Sequence, residues 1–247
     1  EHINMQPITR KLYADKVDAW IGKGQIIVLV GQRRVGKSYI LKDFLERHKA
    51  DQRANFIYIN KERKKFDSIK NHEQLNVYID EHWVEGKHNY ILIDEVQEIE
   101  AWEKSVRSYR VEEDTDIIIT GSNSKMLSSE LSTLIGGRYQ EVYVQSLSYE
   151  EFILFHGLEE CEDALWKYIN YGGLPGLMQV GLADEDLVWD YIKGVYHTVM
   201  LKDIVERNSV RNIAFLNTLL RYFADTIGKL SSLNNISKFM KSQGLDV

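Results

Sequence analysis

Gly31-Gln32-Arg33-Arg34-Val35-Gly36-Lys37-Ser38 decides the fold. It follows the continuous apolar run Ile26–Val30 and opens a helical pattern over Lys37–His48. Every fixed position of G-x-x-x-x-G-K-[ST] is present. The glycines let the backbone turn tightly and aim its N–H groups inward. Lys37 has the reach to meet β- and γ-phosphates, and the Ser38 hydroxyl suits Mg²⁺. The helix beginning at Lys37 presents its N-terminus to the same anion. Gln32, Arg33, Arg34, Val35 and Tyr39 complete the candidate phosphate cradle. Arg33 and Arg34 have two readings, phosphate sensing or solvent-facing charge, and exposure is the usual state of arginine.

Outward from this loop, short apolar runs recur at Phe56–Ile59, Tyr90–Ile93 and Ile117–Thr120. Gln140–Val144 alternates and predicts a fifth strand near an edge. Continuous apolar runs suit strands buried on both faces. Helical patterns at Glu73–Glu81 and Ala101–Tyr109 lie between them, so a parallel sheet with covering helices is expected. Ligands in such sheets sit beyond the carboxyl ends of the strands. After Val144 the strand signal fades. Ser148 and Glu151 form a capping-box pattern opening a helix through Phe155, and further helical patterns cover 162–171, 184–206 and 211–227.

Composition narrows the class. With 247 residues, 44% of them hydrophobic, the chain can bury a sizeable core. A net charge of -6 argues against a nucleic-acid coat or a polybasic membrane binder. No apolar stretch approaches the ~20 residues of a membrane span. A lone cysteine, Cys161, excludes an intrachain disulfide and a multi-cysteine zinc site. The expected setting is cytoplasmic.

Two strand ends carry polar chemistry. Ile91-Leu92-Ile93-Asp94-Glu95 ends in paired carboxylates. After a complete phosphate loop, the aspartate suits Mg²⁺, usually through water, and the glutamate suits a general base for an attacking water. Thr120-Gly121-Ser122-Asn123-Ser124 closes the fourth strand. Asn123, then Ser122, is a candidate for contacting the γ-phosphate or the water. The competing reading is a cap for a helix starting at Lys125. Arg138, after Gly136-Gly137, is either a surface charge or a guanidinium offered to phosphate, in cis or to a neighbouring subunit.

Taken together these motifs resemble the bacterial and archaeal AAA-type P-loop ATPases that carry a C-terminal domain of unknown function. The match rests on the Gly-x-Arg-Arg-x-Gly-Lys-Ser loop, Ile-Asp-Glu-Val-Gln at 93–97 and Thr-Gly-Ser-Asn-Ser at 120–124. Gly137-Arg138, Leu147-Ser-Tyr-Glu-Glu-Phe152 and Tyr171-Gly-Gly-Leu-Pro175 extend it over nearly the whole chain. The resemblance implies a five-stranded parallel sheet ordered 5-1-4-3-2 over 1–147 and a helical lid over 148–228. It also implies the start of an incomplete winged helix over 229–247, where Leu233–Lys241 reads as its first helix. The chain is similar, too, to signal-transduction and origin-recognition-type ATPases. Gly173-Leu174-Pro175 matches their lid motif, which would set Pro175 against the base or ribose; as local physics it is a helix stop and a turn. Arg10 matches the arginine that precedes the first strand in such proteins. Family members continue into a complete winged helix and a nuclease-like domain, so contacts with DNA or a protein partner are expected beyond Val247.

The first functional expectation is Mg²⁺-dependent ATP hydrolysis that drives a conformational change. A slow-hydrolysing ATP switch uses the same residues. A small-molecule kinase fits less well with Glu95 beside Asp94, and a DNA module with a structural nucleotide fits less well with the net charge. A guanine-reading Asn-Lys-x-Asp is absent, which favours ATP over GTP. Partner, output and oligomeric state are not legible.

Overall fold

A computed structural model of the chain describes residues 8–121, 133, 135–199, 204–205 and 212–244. Five strands form one parallel sheet: β1 (Ile26–Val30), β2 (Ala54–Asn60), β3 (His88–Asp94), β4 (Thr115–Thr120) and β5 (Tyr139–Tyr143). Their order is β2-β3-β4-β1-β5, the expected order read from the other edge. All four pairings are parallel.

β1 shows why its run is unbroken. Its five residues are all buried, and alternate side chains enter two separate cores. Ile26, Val28 and Val30 meet Leu75, Ile79, Trp102 and Val106 on one face. Ile27 and Leu29 meet Tyr13, Val17, Ile40, Leu41 and Phe44 on the other. The first face is covered by α3 (His72–His82) and α4 (Trp102–Tyr109), the second by α1 (Lys11–Asp18) and α2 (Lys37–His48). A period-2 strand with an apolar layer on each side requires apolar residues at every position. β5 is an edge strand, and its alternation fits one covered face.

α1 is an element that the sequence pattern missed. Tyr13, Ala14 and Val17 bury its inner face, but no side chain caps its start and Leu12 is exposed. Without a cap or a full apolar stripe, an eight-residue helix has little local signature.

Beyond the sheet come α5 (Tyr149–His156), α6 (Glu162–Tyr171), α7 (Leu177–Val180) and α8 (Glu185–Thr198). α5 begins with the full capping box: the Ser148 hydroxyl accepts from the Glu151 amide, and the Glu151 carboxylate accepts from the Ser148 amide. The last two helices are α9 (Ile213–Asp225) and α10 (Leu233–Ser242). The chain divides into two compact units, up to Ile192 and from Lys193 onward. In the second unit Tyr222 of α9 packs on Phe239 of α10, and Ser232 caps α10. The expected helix over 184–206 is described as far as Thr198, and residues beyond it lie partly outside the described set. No helix among the described residues is long and apolar enough to cross a membrane.

Candidate functional site

The loop between β1 and α2 lies at the carboxyl end of the sheet, and two close approaches shape it. A Cβ on Gly31 would stand 2.2 Å from the Val144 carbonyl oxygen, so any larger residue would push β5 away from β1. Gly36 caps α2 with φ 99°, a left-handed conformation that favours glycine. Pro175 Cγ and Arg10 Nη1 lie 3.5 and 3.8 Å from where a Gly36 Cβ would be. The structure thus brings Pro175 and Arg10 to the loop across long sequence separations.

Val35 is buried in the second core, fixing the loop from below. Gln32 is exposed, and Arg33 is half-buried. Arg34 is exposed, adopts φ 66°, and holds its guanidinium 6.0 Å above the Tyr191 ring. Lys37 is 4% exposed. Its ammonium donates to the carbonyls of Gly31 at 2.9 Å and Gln32 at 2.7 Å. Tyr39 turns toward the helices: its hydroxyl accepts from the Ile8 amide and its ring sits 6.1 Å from Phe155.

Asp94, at the end of β3, is fully buried. Oδ1 accepts from Ser38 Oγ at 3.0 Å and Thr120 Oγ1 at 2.7 Å. Oδ2 accepts from Asn60 Nδ2 at 2.9 Å. Burial raises the pKa of its carboxyl above the ordinary value. The Thr120 and Ser38 hydrogen bonds pull it down, and the charges of Glu95 and Glu62 push it up. Thr120 works twice, since its hydroxyl also accepts from the Glu95 amide at 3.0 Å. Glu95 itself is half-buried, takes φ 57°, and its carboxylate accepts from Gln97 Nε2.

Thr120 and Asn60 were not singled out as site residues in the sequence. Asn60 faces Asp94 because β2 and β3 pair in register, Asn60 against Asp94. The only available signal was their place at the last residue of their strands. Asn123, with Ser122 and Ser124, lies outside the described residues.

Arg138 is exposed and precedes β5. Its carbonyl accepts from the Ile26 amide at 3.1 Å, at the amino end of β1. A strand of this length spans about 17 Å, and the phosphate loop leaves from the other end. The structure therefore does not bring Arg138 to this chain's own loop. An exposed side chain there fits the surface-charge reading as well as a guanidinium offered to a neighbouring subunit.

A donor set can be judged from these contacts. Ser38 and Asp94 offer hard oxygens, the ligand type of Mg²⁺. Among the described residues no cluster of three or more His, Cys, Asp or Glu side chains gathers to hold a metal. Few protein ligands, completed by water and phosphate oxygens, is how Mg²⁺ is usually held at nucleotide sites.

A family described as "AAA domain" matches residues 23–153, and one described as a domain of unknown function matches 162–246. An uncharacterized protein of Haemophilus influenzae is 33% identical over 244 residues, covering 96% of this chain and 60% of that protein. An uncharacterized protein of Methanocaldococcus jannaschii is 30% identical over 233 residues, covering 88% and 50%. The chain thus spans 50–60% of the length of these curated relatives. Among solved structures, AMPPCP-bound DnaA from Aquifex aeolicus superposes with TM-score 0.50 at 15% identity, over 94% of this chain and 76% of that one. The Aeropyrum pernix Orc1 protein in complex with DNA gives 0.51 at 9% identity, over 97% and 84%. These two likenesses concern the fold.

Proposed function

The chain belongs to the AAA domain family, and on that premise we propose that it binds ATP with Mg²⁺ at residues 31–38 and hydrolyses it to drive a conformational change in a DNA or protein partner. One observation carries the reading: Ser38 and Asp94, from separate elements, meet at 3.0 Å directly behind a complete phosphate loop. A hydroxyl that gives its proton to Asp94 keeps its lone pairs for a cation. When bound there, Mg²⁺ would offset charge developing on the phosphates. Lys37 already donates at the mouth of the loop to two carbonyls, which phosphate oxygens would replace. Glu95 is the general base, its backbone set by Thr120. Asn123 aligns the γ-phosphate or the water, Pro175 borders the base or ribose, and Arg138 serves a neighbouring copy. The solved Orc1 was bound to DNA, which supports DNA as a partner class. The exposed single cysteine, Cys161, agrees with a cytoplasmic setting.

A slow-hydrolysing switch is favoured by one contact. Gln97 donates to the Glu95 carboxylate and so engages the candidate base within the chain. Phosphate release from ATP with Mg²⁺ separates the readings, with Lys37→Ala and Glu95→Gln run beside the parent. Turnover lost in both variants, by about 10²–10⁴-fold for Glu95→Gln, with ATP still bound by Glu95→Gln, is the expected result. Tight binding without turnover in the parent identifies the switch. No ATP binding by the parent overturns both.

A further inference from the structure

Arg10 stands immediately before α1, at its N-cap, and is only 3% exposed. A guanidinium has five N–H donors in a fixed plane, and all five are used. Nε donates to Glu151 Oε1 at 2.9 Å, and Nη2 to Glu151 Oε2 at 2.7 Å. Nη2 also donates to the Ser146 carbonyl at 3.2 Å. Nη1 donates to the carbonyls of Val35 at 3.0 Å and Gln145 at 2.9 Å. The guanidinium carbon also lies 4.4 Å above the Tyr13 ring. No N–H remains for a phosphate.

The five acceptors belong to three parts of the molecule. Val35 is in the phosphate loop, next to Gly36. Gln145 and Ser146 form the connection from β5 to α5. Glu151 is the capping-box residue of α5. The connection is held from other sides too: the Gln145 amide donates to the Tyr13 hydroxyl at 3.0 Å, and the Leu147 amide to the Gly173 carbonyl at 2.7 Å. Gly173 cannot be larger, because a Cβ there would stand 2.2 Å from the Leu147 carbonyl oxygen. Burial pushes the Glu151 carboxyl up, but the hydrogen bonds from Arg10 and Ser148 outweigh it and leave its pKa below the ordinary value.

We propose that Arg10 is a positioning residue: through the Val35 carbonyl it fixes the outer wall of the phosphate loop to the first helix after the sheet, so that nucleotide affinity depends on a side chain that touches no nucleotide. The inference rests on residues 31–38 being an ATP site. The Val35 carbonyl is a buried acceptor, and without its donor the loop must shift to satisfy it. Lysine keeps the charge but loses the planar fork and has three donors for five acceptors, so part of the network is left unpaired.

The test is calorimetric titration of ATP in Mg²⁺ into the 247-residue chain and its Arg10→Lys, Glu151→Gln, double, Lys37→Ala and Asp116→Asn variants. Each is measured well below its own unfolding midpoint. Arg10→Lys should weaken binding about tenfold and Glu151→Gln less. The double variant should lose less than the product of the single losses, because the two residues share one network. Asp116→Asn, destabilised at the far end of the sheet, should bind within about twofold of the parent. A plain strut would lower the midpoint in Arg10→Lys and Glu151→Gln while leaving affinity unchanged, and that result overturns the proposal. If Arg10→Lys does not fold, Glu151→Gln, which is isosteric, decides alone. A parent that binds and a Lys37→Ala that does not, with both Arg10 and Glu151 variants binding like the parent, defeats this inference only. A parent that does not bind ATP defeats the function proposed above and this inference with it.

Discussion

Two aspartates are buried at opposite ends of the same sheet, and they are answered differently. Asp116, near the amino end of β4, is met by His88 Nε2 at 2.7 Å and by the Gly22 amide at 3.0 Å to each oxygen. Asp94, at the carboxyl end of β3, accepts from two hydroxyls and an amide, Ser38, Thr120 and Asn60. Burial raises the pKa of both. At Asp116 the ionised form is helped by a histidine, a side chain able to carry positive charge. At Asp94 the donors are neutral, and Glu95 and Glu62 add charge of the same sign. A buried carboxylate matched with a potential cation from its own chain serves the fold. On the function proposed above, one supplied with neutral donors beside a phosphate loop is arranged for a cation that arrives with a ligand.

Exchanging each aspartate for asparagine gives the largest contrast. Asp94→Asn should cut phosphate release about a thousandfold, ~4 kcal/mol of barrier, with little change in unfolding. Asp116→Asn should lower the unfolding free energy by about 2 kcal/mol and leave turnover within about twofold. Denaturant titration and a phosphate assay on the same samples check both. Equal losses of turnover in the two variants would erase the distinction.

Next comes pH. A proton on Asp94 competes with the cation, so ATP affinity in Mg²⁺ should fall on acidification at a pH above that of an ordinary aspartate, 3.8. Asp94→Asn should flatten that profile and Asp116→Asn should not. For the fold alone the sign is reversed. An acid whose folded pKa is raised binds its proton more tightly in the native state. Its stabilising contribution is present below 3.8 and is lost as pH rises through the folded value. Glu151 runs the other way: its contribution is present above 4.5 and is lost as pH falls through its lowered pKa. The smallest effect is at Asn60. Asn60→Ala removes one donor from Asp94 and should weaken Mg²⁺-dependent ATP binding about fivefold, ~1 kcal/mol. An unchanged affinity would leave Asn60 a strand-end residue only.

What could be read from sequence was what is written locally. The phosphate loop is a contiguous pattern, and β1 is unbroken because both its faces are covered. The capping box at Ser148 and Glu151 spans three residues and was legible as a helix start. Its second use was not, because Arg10 lies 141 residues from Glu151 and the pair exists only once the sheet and α5 are assembled. The same holds at Asp94. Its Asn60 contact follows from strand register across 34 residues, and its Thr120 contact from β4 ending near the same level. Arg138 shows the reverse: a motif visible in the sequence whose position, at the amino end of β1, separates it from this chain's own phosphate loop.

The most direct test of the central claim is calorimetric titration of ATP into the parent and Asp94→Asn, each with Mg²⁺ and with EDTA. The account predicts that the parent binds at least tenfold more tightly with Mg²⁺, ~1.4 kcal/mol or more, and that Asp94→Asn binds equally weakly in both conditions. A parent indifferent to Mg²⁺, or an Asp94→Asn variant that keeps the full Mg²⁺ effect, would contradict it.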